Sequence, residues 1–260
     1  MQALFSALRR MALIDRFRNS SAEDDFVEET PEQAFRWCGL LTDGPMTSVP
    51  SLAIMGVNGS VQVRGVEGRE IRVVAIRRGE RAKLKTVRVT VEQNGRGVKV
   101  RAIYPRFQWP GRPKVKVDFA VEIPAAVSLM VRLANGCINL KSVTGDAELY
   151  TGHGVVSISD SGWVSAEADH GYIHASIREP AWARPLHFRT AEGSIRVELP
   201  SSASTRIRAM TINGIVSASF PLAIEKKRYN FLSGVLGADD RRELVCECGN
   251  GSVHLSQARA

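Results

Sequence analysis

Residues 131–175 read VRLANGCINLKSVTGDAELYTGHGVVSISDSGWVSAEADHGYIHA, and glycines recur in this stretch at positions 136, 145, 154, 162 and 171. The spacings are nine, nine, eight and nine residues, and the second and fourth residues after each glycine are apolar. A turn followed by a short strand with one buried face gives this pattern. Because the unit recurs at a nearly fixed period, the sequence predicts an all-β fold, a β-solenoid with stacked coils of about 17–18 residues.

The same unit occurs outside this stretch, and it identifies a set of structural turn residues. Asn–Gly pairs suit positive φ, where glycine has no Cβ penalty and asparagine is tolerated. If alternate units stack, His153 and His170 lie one above the other, near Asp169. Such a set can bind a metal, but stacked polar turn residues are commoner in solenoids, so we expect neither metal nor cofactor. The predicted turn residues are Gly59, Asn135, Gly136, Gly145, Gly154, Gly171, Gly193, Gly214 and Gly251.

Residues 51–124 alternate between apolar and polar side chains and predict an antiparallel β-meander that continues into the solenoid at 125–260. Asn94-Gly95 between two alternating runs predicts a hairpin. The span from Arg64 to Asp118 holds 16 Lys/Arg against five Asp/Glu, and we expect its basic positions on one face. A basic face attracts anionic lipid or acidic polysaccharide, with nucleic acid the less favoured partner, but it is also typical of a solvated strand face.

Two irregular stretches are candidate interaction loops, because aromatic rings beside arginine can stack on sugars or bases. The alternative is that these rings fold back over a neighbouring sheet. A third break, at 220–243, predicts a loop excursion. The candidate residues are Tyr104, Arg106, Phe107, Trp109 and Arg112 in the stretch 104–113, and Trp182 and Arg184 in the insertion 178–187.

Residues 1–50 predict a helical, acidic leader and linker. The first 19 residues place apolar side chains on one helical face, which suits a membrane surface or a partner but is also common in loosely packed leaders. A second helix is predicted from Thr30-Pro31 to about Cys38. The chain shows no signal peptide and no transmembrane segment, so we expect a cytoplasmic, in part membrane-peripheral protein. Export stays open if the start codon is misassigned.

The residues that could act in catalysis or bind a metal do not form a recognised catalytic pattern. Cys246 and Cys248 fall on one strand face, where interior packing is favoured over metal binding. Paired carboxylates can act as general acid and base, but outward positions of solvated strands are normally charged. We therefore expect a protein that is not an enzyme. The carboxylates concerned are Asp146, Glu148, Glu167 and Asp169.

Three quoted stretches carry a family resemblance: VNGSVQVRGVEGREIRVVA at 57–75, VDFAVEIPAAVSLMVRLANGCINL at 117–140 and ECGNGSVHL at 247–255. In this order they resemble the bacterial putative-adhesin family of uncharacterised β-helix domains, which is similar to auto-transporter adhesin head domains. The resemblance covers about Ser51 to Ser256. It implies a right-handed β-solenoid with no catalytic residues, and relatives that are exported or membrane-tethered.

Three hypotheses on function follow. The first is a non-enzymatic structural or interaction module that binds a protein partner or itself. The second is a polymerising scaffold of bactofilin type, because the last unit, Gly251 to Leu255, would form a bare terminal coil open to strand addition. The third is a carbohydrate-active β-helix enzyme using Asp146 and Glu148.

Overall fold

A computed structural model describes residues 26–29, 33–36, 51–94, 97–105, 115–177, 182, 184–238 and 242–258. It confirms an all-β chain: the described residues form a large mixed sheet that is not closed, with one short helix. The predicted leader helix at 1–19 lies outside the described residues. No helix in the described ranges is long and apolar enough to cross a bilayer.

The strands are numbered in chain order, and the helix α1 spans Arg81–Leu84. The strands are β1 (Phe26–Glu29), β2 (Gln33–Arg36), β3 (Ser51–Asn58), β4 (Val61–Val66), β5 (Glu70–Gly79), β6 (Arg88–Asn94), β7 (Gly97–Ile103), β8 (Lys116–Pro124), β9 (Ser128–Asn135), β10 (Ile138–Lys141), β11 (Ala147–Ser159), β12 (Val164–Ser176), β13 (Leu186–Leu199), β14 (Thr205–Asn213), β15 (Val216–Ala218), β16 (Ala223–Arg228), β17 (Phe231–Leu236), β18 (Glu243–Asn250) and β19 (Val253–Gln257).

Strand pairing arranges these elements in two rows. The first row runs β6, β7, β3, β9, then the first halves of β11, β12 and β13, then β18, β14, β17 and β16. The second row runs β5, β8, β4, β10, then the second halves of β11, β12 and β13, then β19 and β15. Pairing is parallel through the middle of both rows and also between β19 and β15, and it is antiparallel at both ends of the first row and at the β5 end of the second, where β1 and β2 pair with β5.

One hydrophobic core joins the two rows. In strands such as β10 and β14 every second side chain is buried, as period-two alternation requires. Leu149 from the first row and Ile158 from the second belong to the same continuous cluster, together with Phe119 and Phe188. Burying a leucine, isoleucine or phenylalanine side chain stabilises the fold by about 1.5–3 kcal/mol, so this inward face dominates the stability of the chain.

A ladder of glycines forms the corner between the rows. Seven glycines follow one another in space at this corner, each with φ between 137° and 155°. In spatial order they are Gly59, Gly136, Gly154, Gly171, Gly193, Gly251 and Gly214. From Gly136 onward, a Cβ built on each glycine would lie within 2 Å of the carbonyl oxygen of the previous glycine. Glycine is required at this corner because the backbone of the neighbouring coil occupies the Cβ position. Gly145 lies at the opposite corner, where a Cβ would meet the Val127 carbonyl oxygen at 2.4 Å.

The prediction of an antiparallel meander over 51–124 is wrong for its first strands. β3 pairs in parallel with β7 and β9, and β4 pairs in parallel with β8 and β10. The reason is that Asn58-Gly59 makes the same corner as the later units and therefore stacks on Asn135-Gly136. The hairpin predicted at Asn94-Gly95 is confirmed by the antiparallel pairing of β6 with β7.

Two local predictions are also wrong. The helix expected to begin at Thr30-Pro31 is replaced, within its described part, by β2, which pairs antiparallel with β5. The loop excursion expected at 220–243 contains the antiparallel hairpin of β16 and β17, and β17 pairs with β14. In both cases a free strand edge elsewhere in the fold accepts the segment, and tertiary pairing outweighs local propensity.

The last unit of the sequence is not a terminal coil. β18 pairs in parallel with β13 on one side and β14 on the other, and β19 lies likewise between β13 and β15. The final unit is therefore inserted between two earlier ones. The predicted bare coil at Gly251 to Leu255 is wrong, and with it the sequence argument for a polymerising scaffold.

Candidate functional site

The outward face of the second row carries an open groove of about 670 Å³. Parallel register aligns its side chains in two columns, because equivalent positions of successive strands lie beside each other. One column runs through Gln62, Asn139, Ser157 and His174. The other runs through Glu122, Arg64, Lys141, Ser159, Ser176 and Glu198.

The groove owes its depth to small side chains at its centre. Ser157, Ser159 and Ser176 are short, whereas Arg64 and Lys141 at one end and Glu198 at the other are long. Neighbouring strands lie about 4.8 Å apart, so the hydroxyl and amide groups repeat at that distance. The arrangement offers a row of hydrogen-bonding groups along an extended ligand.

Two cations lie side by side near one end of the groove, with Glu122 on the far side of Arg64. Arg64 on β4 and Lys141 on β10 are directly paired across the ladder. Neither forms an ion pair within 4 Å with another residue in the described ranges. Like charges on adjacent strands repel each other, so an anion bound between them would lower the electrostatic energy of this face.

The carboxylates of the groove are too far apart to act as a catalytic pair. Glu122 and Glu198 are separated by five strand spacings, which is about 24 Å at the usual distance between strands. Glycoside hydrolysis needs two carboxyl groups within about 5–9.5 Å of each other.

The carboxylates singled out in the sequence lie away from the groove and are engaged elsewhere. Asp146 accepts a hydrogen bond from Arg184 at 2.5 Å, and Glu167 lies 3.6 Å from Arg189. Asp169 accepts a hydrogen bond of 2.6 Å from the hydroxyl of Tyr150, and this bond raises the pKa of Tyr150. Glu148 points outward on the first row.

The first candidate loop is described only at its start. The Tyr104 ring packs against the core, and its hydroxyl oxygen lies 3.2 Å from the carbonyl oxygens of both Asn58 and Val115. The hydroxyl thus ties the loop to the first glycine corner. Arg106, Phe107, Trp109 and Arg112 lie outside the described residues, and their role in binding stays a prediction.

Burial raises the pKa of Tyr104 to about 12 from the ordinary value of 10.0. A raised folded-state pKa means that its contribution to stability is complete below about pH 10 and is lost as the pH rises towards 12. We expect the unfolding midpoint of the wild type to fall more steeply between pH 10 and 12 than that of Tyr104→Phe. Urea titrations at several pH values measure this, and parallel slopes would contradict it.

The described residues of the second candidate loop pack on the protein itself. Trp182 is 3% exposed and belongs to the core, so its ring is not available to a partner. The guanidinium of Arg184 lies 3.8 Å from the centroid of the Trp163 ring, and Trp163 Nε1 donates a 2.8 Å hydrogen bond to the carbonyl of Pro185. Of the two predicted residues, Arg184 alone remains exposed.

The polar residues beside the glycine corner stack as expected. The rings of His153 and His170 are parallel within 21°, with centroids 4.7 Å apart, and His170 Nδ1 lies 2.9 Å from Glu192. Asp169 is instead bonded to Tyr150, and within the described ranges no three potential ligands gather around one point.

Cys246 and Cys248 are buried as predicted, and burial raises the pKa of both thiols.

The basic residues that were expected on one face are instead divided between the two rows. Arg64 and Arg72 belong to the second row, Lys99 and Arg101 belong to the first, and Arg78 is buried. The division arises because residues 51–124 contribute strands to both rows.

Sequence reasoning did not identify the groove. Its residues occupy the odd positions after each glycine, which vary freely in type and carry no motif. The signal that could have found them is their size: serines recur at these positions in the central units, between cations in earlier units and charges in later ones. These side chains form a groove only because the strands that carry them lie side by side in the sheet.

Comparisons with known proteins add structural similarity at low sequence identity. Neither a protein-family profile nor a curated protein sequence matches the chain at a significant level. A structure of a putative cell adhesion protein from Clostridium sporogenes is similar, with a TM-score of 0.47, 12% identity, and coverage of 88% of this chain and 99% of that one. A putative adhesin from Bacteroides fragilis has a TM-score of 0.37 and 9% identity, covering 90% and 98%. A putative adhesin from Parabacteroides distasonis has a TM-score of 0.24 and 10% identity, covering 89% and 97%.

Proposed function

We propose that this chain is a non-enzymatic β-solenoid interaction module of the adhesin kind, and that its second-row groove binds an extended acidic polysaccharide. The observation that carries the proposal is the groove itself, which crosses parallel strands and places Arg64 and Lys141, which form no ion pair within the described ranges, beside a row of hydroxyl and amide groups. A cytoplasmic location stays a prediction.

The regular register supports the solenoid interpretation. Gly154 aligns with Gly171 and Gly171 with Gly193, so equivalent points of successive units repeat along one direction. We extend the solenoid to residues 51–124, since β3 and β4 pair with β9 and β10. Right-handed winding belongs to the same proposal, as does a boundary between 1–50 and a solenoid that runs over 51–260.

The chemistry of the groove favours an acidic polysaccharide. Sugar hydroxyls both donate and accept hydrogen bonds, as do the groups of Asn139, Ser157 and Ser176. Carboxylate or sulfate groups along the polymer would pair with Arg64 and Lys141, and Arg binds such groups in a bidentate manner. A long ligand also fits an open groove, whereas small molecules prefer enclosed pockets.

Binding to polygalacturonate, measured by affinity electrophoresis and titration calorimetry, tests the proposal, with dextran as the neutral comparison. We expect the double variant Arg64→Gln/Lys141→Gln to bind about tenfold more weakly, which corresponds to about 1.4 kcal/mol for two charge-assisted contacts. The matched control is Lys99→Gln/Arg132→Gln, which removes two positive charges from the first row and should bind as the wild type does.

A second variant tests the centre of the groove. Ser159→Glu places a carboxylate in the second column, directly beside Lys141, and we expect it to abolish polygalacturonate binding without changing the far-ultraviolet circular dichroism. The proposal is wrong if the groove variants bind as tightly as the wild type, if dextran binds equally well, or if the polymer is cleaved during the assay.

A further inference from the structure

Large apolar side chains are exposed mainly at one end of the molecule. Of the seven that are exposed in the described ranges, five lie between residues 210 and 229. They are Met210, Ile212, Ile215, Ile224 and Tyr229. Single exposed apolar residues are normal on a soluble surface, but such a concentration marks an interaction site.

Two hydrogen bonds bring three of these side chains around one corner. The carbonyl of Tyr229 accepts from the Val216 amide, and the carbonyl of Asn230 accepts from the Thr211 amide, both at 2.9 Å. The turn between β16 and β17 is thereby fastened beside the Asn213-Gly214 corner. Ile212, Ile215 and Tyr229 flank this junction and are 66%, 59% and 73% exposed.

Positive charge lies on the strand that leads into this turn. Lys226, Lys227 and Arg228 are all exposed on β16, and none forms an ion pair with a residue in the part of the chain that the structure describes. The acidic residue of this strand, Glu225, is engaged by Arg206 at 3.2 Å and by the Ser233 hydroxyl at 3.0 Å. The corner, the turn and the strand that leads into it therefore carry three exposed apolar side chains and three cations that form no ion pair within the described ranges.

We propose that this terminal patch, Ile212, Ile215 and Tyr229 with Lys226, Lys227 and Arg228, binds the surface of an anionic lipid bilayer. Apolar groups at a turn and a corner insert between lipid headgroups, and aromatic rings with a polar tip favour that interface. Each Lys or Arg near an anionic membrane surface contributes to binding. The combination of exposed apolar side chains with neighbouring cations suits an anionic bilayer, where both kinds of group contribute to binding.

Co-sedimentation of the full chain with vesicles of phosphatidylglycerol and phosphatidylcholine tests the proposal, with pure phosphatidylcholine vesicles as the comparison. We expect binding to the anionic vesicles alone, and weaker binding at higher salt. Two triple variants, Ile212→Ser/Ile215→Ser/Tyr229→Ser and Lys226→Gln/Lys227→Gln/Arg228→Gln, should each bind at least tenfold more weakly. The controls are Tyr172→Ser, which removes a 60% exposed ring from a central coil, and Lys99→Gln/Arg132→Gln.

Three results would overturn the proposal. The first is unchanged vesicle binding by both triple variants, which would place lipid binding elsewhere, for example in residues 1–19. The second is equal binding to neutral vesicles. The third is that light scattering shows a changed molecular mass for the triple variants while their vesicle binding is unchanged. That result would mean that the terminal patch binds a second copy of the chain and not a bilayer. Binding of polygalacturonate is measured on the same variants and should not change, so failure of one proposal is distinguishable from failure of the other.

Discussion

Replacing Gly171 by alanine is expected to lower the free energy of unfolding by at least about 4 kcal/mol, at the extreme of single substitutions. The added Cβ would lie 1.7 Å from the carbonyl oxygen of Gly154 and 2.8 Å from its carbonyl carbon, at a φ of +150°. The contacted atoms are backbone, and parallel pairing on both sides holds them in place. Neither coil can move without breaking its ladder. Guanidinium denaturation followed by circular dichroism measures the loss.

Gly68→Ala is the matched control for this prediction. Gly68 has a similar φ of +143°, but a Cβ there meets no atom within 4 Å. The control therefore contains the backbone strain without the collision, and it should cost about 1–2 kcal/mol. If both variants lose the same stability, the collision between coils is not what requires glycine at the corner.

Asp118→Ala is expected to cost about 3–5 kcal/mol, because it removes a buried carboxylate that lies beside a buried cation and accepts two hydrogen bonds. The side chains of Asp118 and Arg78 are 7% and 9% exposed, and Arg78 Nε lies 3.4 Å from Asp118 Oδ2. The other carboxylate oxygen accepts hydrogen bonds of 2.7 Å from both the amide and the hydroxyl of Ser60. Substitution removes one buried negative charge beside Arg78 and the acceptor for both Ser60 groups.

Urea denaturation of Asp118→Ala, Asp118→Asn and Glu122→Ala separates these contributions. Asn keeps an acceptor for Ser60 but removes the charge, so its loss should be intermediate. Glu122 lies on the same strand, is partly exposed and pairs with no cation in the described ranges, and its removal should change stability by less than about 0.5 kcal/mol. Similar losses for Asp118→Ala and Glu122→Ala would show that the buried pair contributes little.

Short-range features were predictable because local chemistry decides them. The glycines that make the corner are recognisable since only glycine accepts both a positive φ and a neighbouring carbonyl at its Cβ position. Alternation marks the buried side chains, including Cys246 and Cys248, because the side-chain period of a strand is two. The hairpin at Asn94-Gly95 follows from turn preference alone.

The candidate site and the terminal patch were not predictable in this way. The serines of the groove can be recognised as binding groups only because the fold brings them beside Arg64 and Lys141. These two residues lie 93 and 16 positions before Ser157 in the sequence. Likewise Tyr229, which lies 17 residues after Ile212 and 14 after Ile215, joins them because its turn is hydrogen-bonded at their corner.

By itself the sequence determined where the chain turns, which side chains face the core, and that units stack. The tertiary structure decided which unit lies next to which. β18 and β19 enter between β13 and the unit of β14 and β15, and β2 replaces a predicted helix. The physical reason is that the edges of parallel strands offer nearly identical backbone donors and acceptors to every unit. The repeat therefore fixes the face and the corner of each strand, and long-range packing alone selects its neighbours.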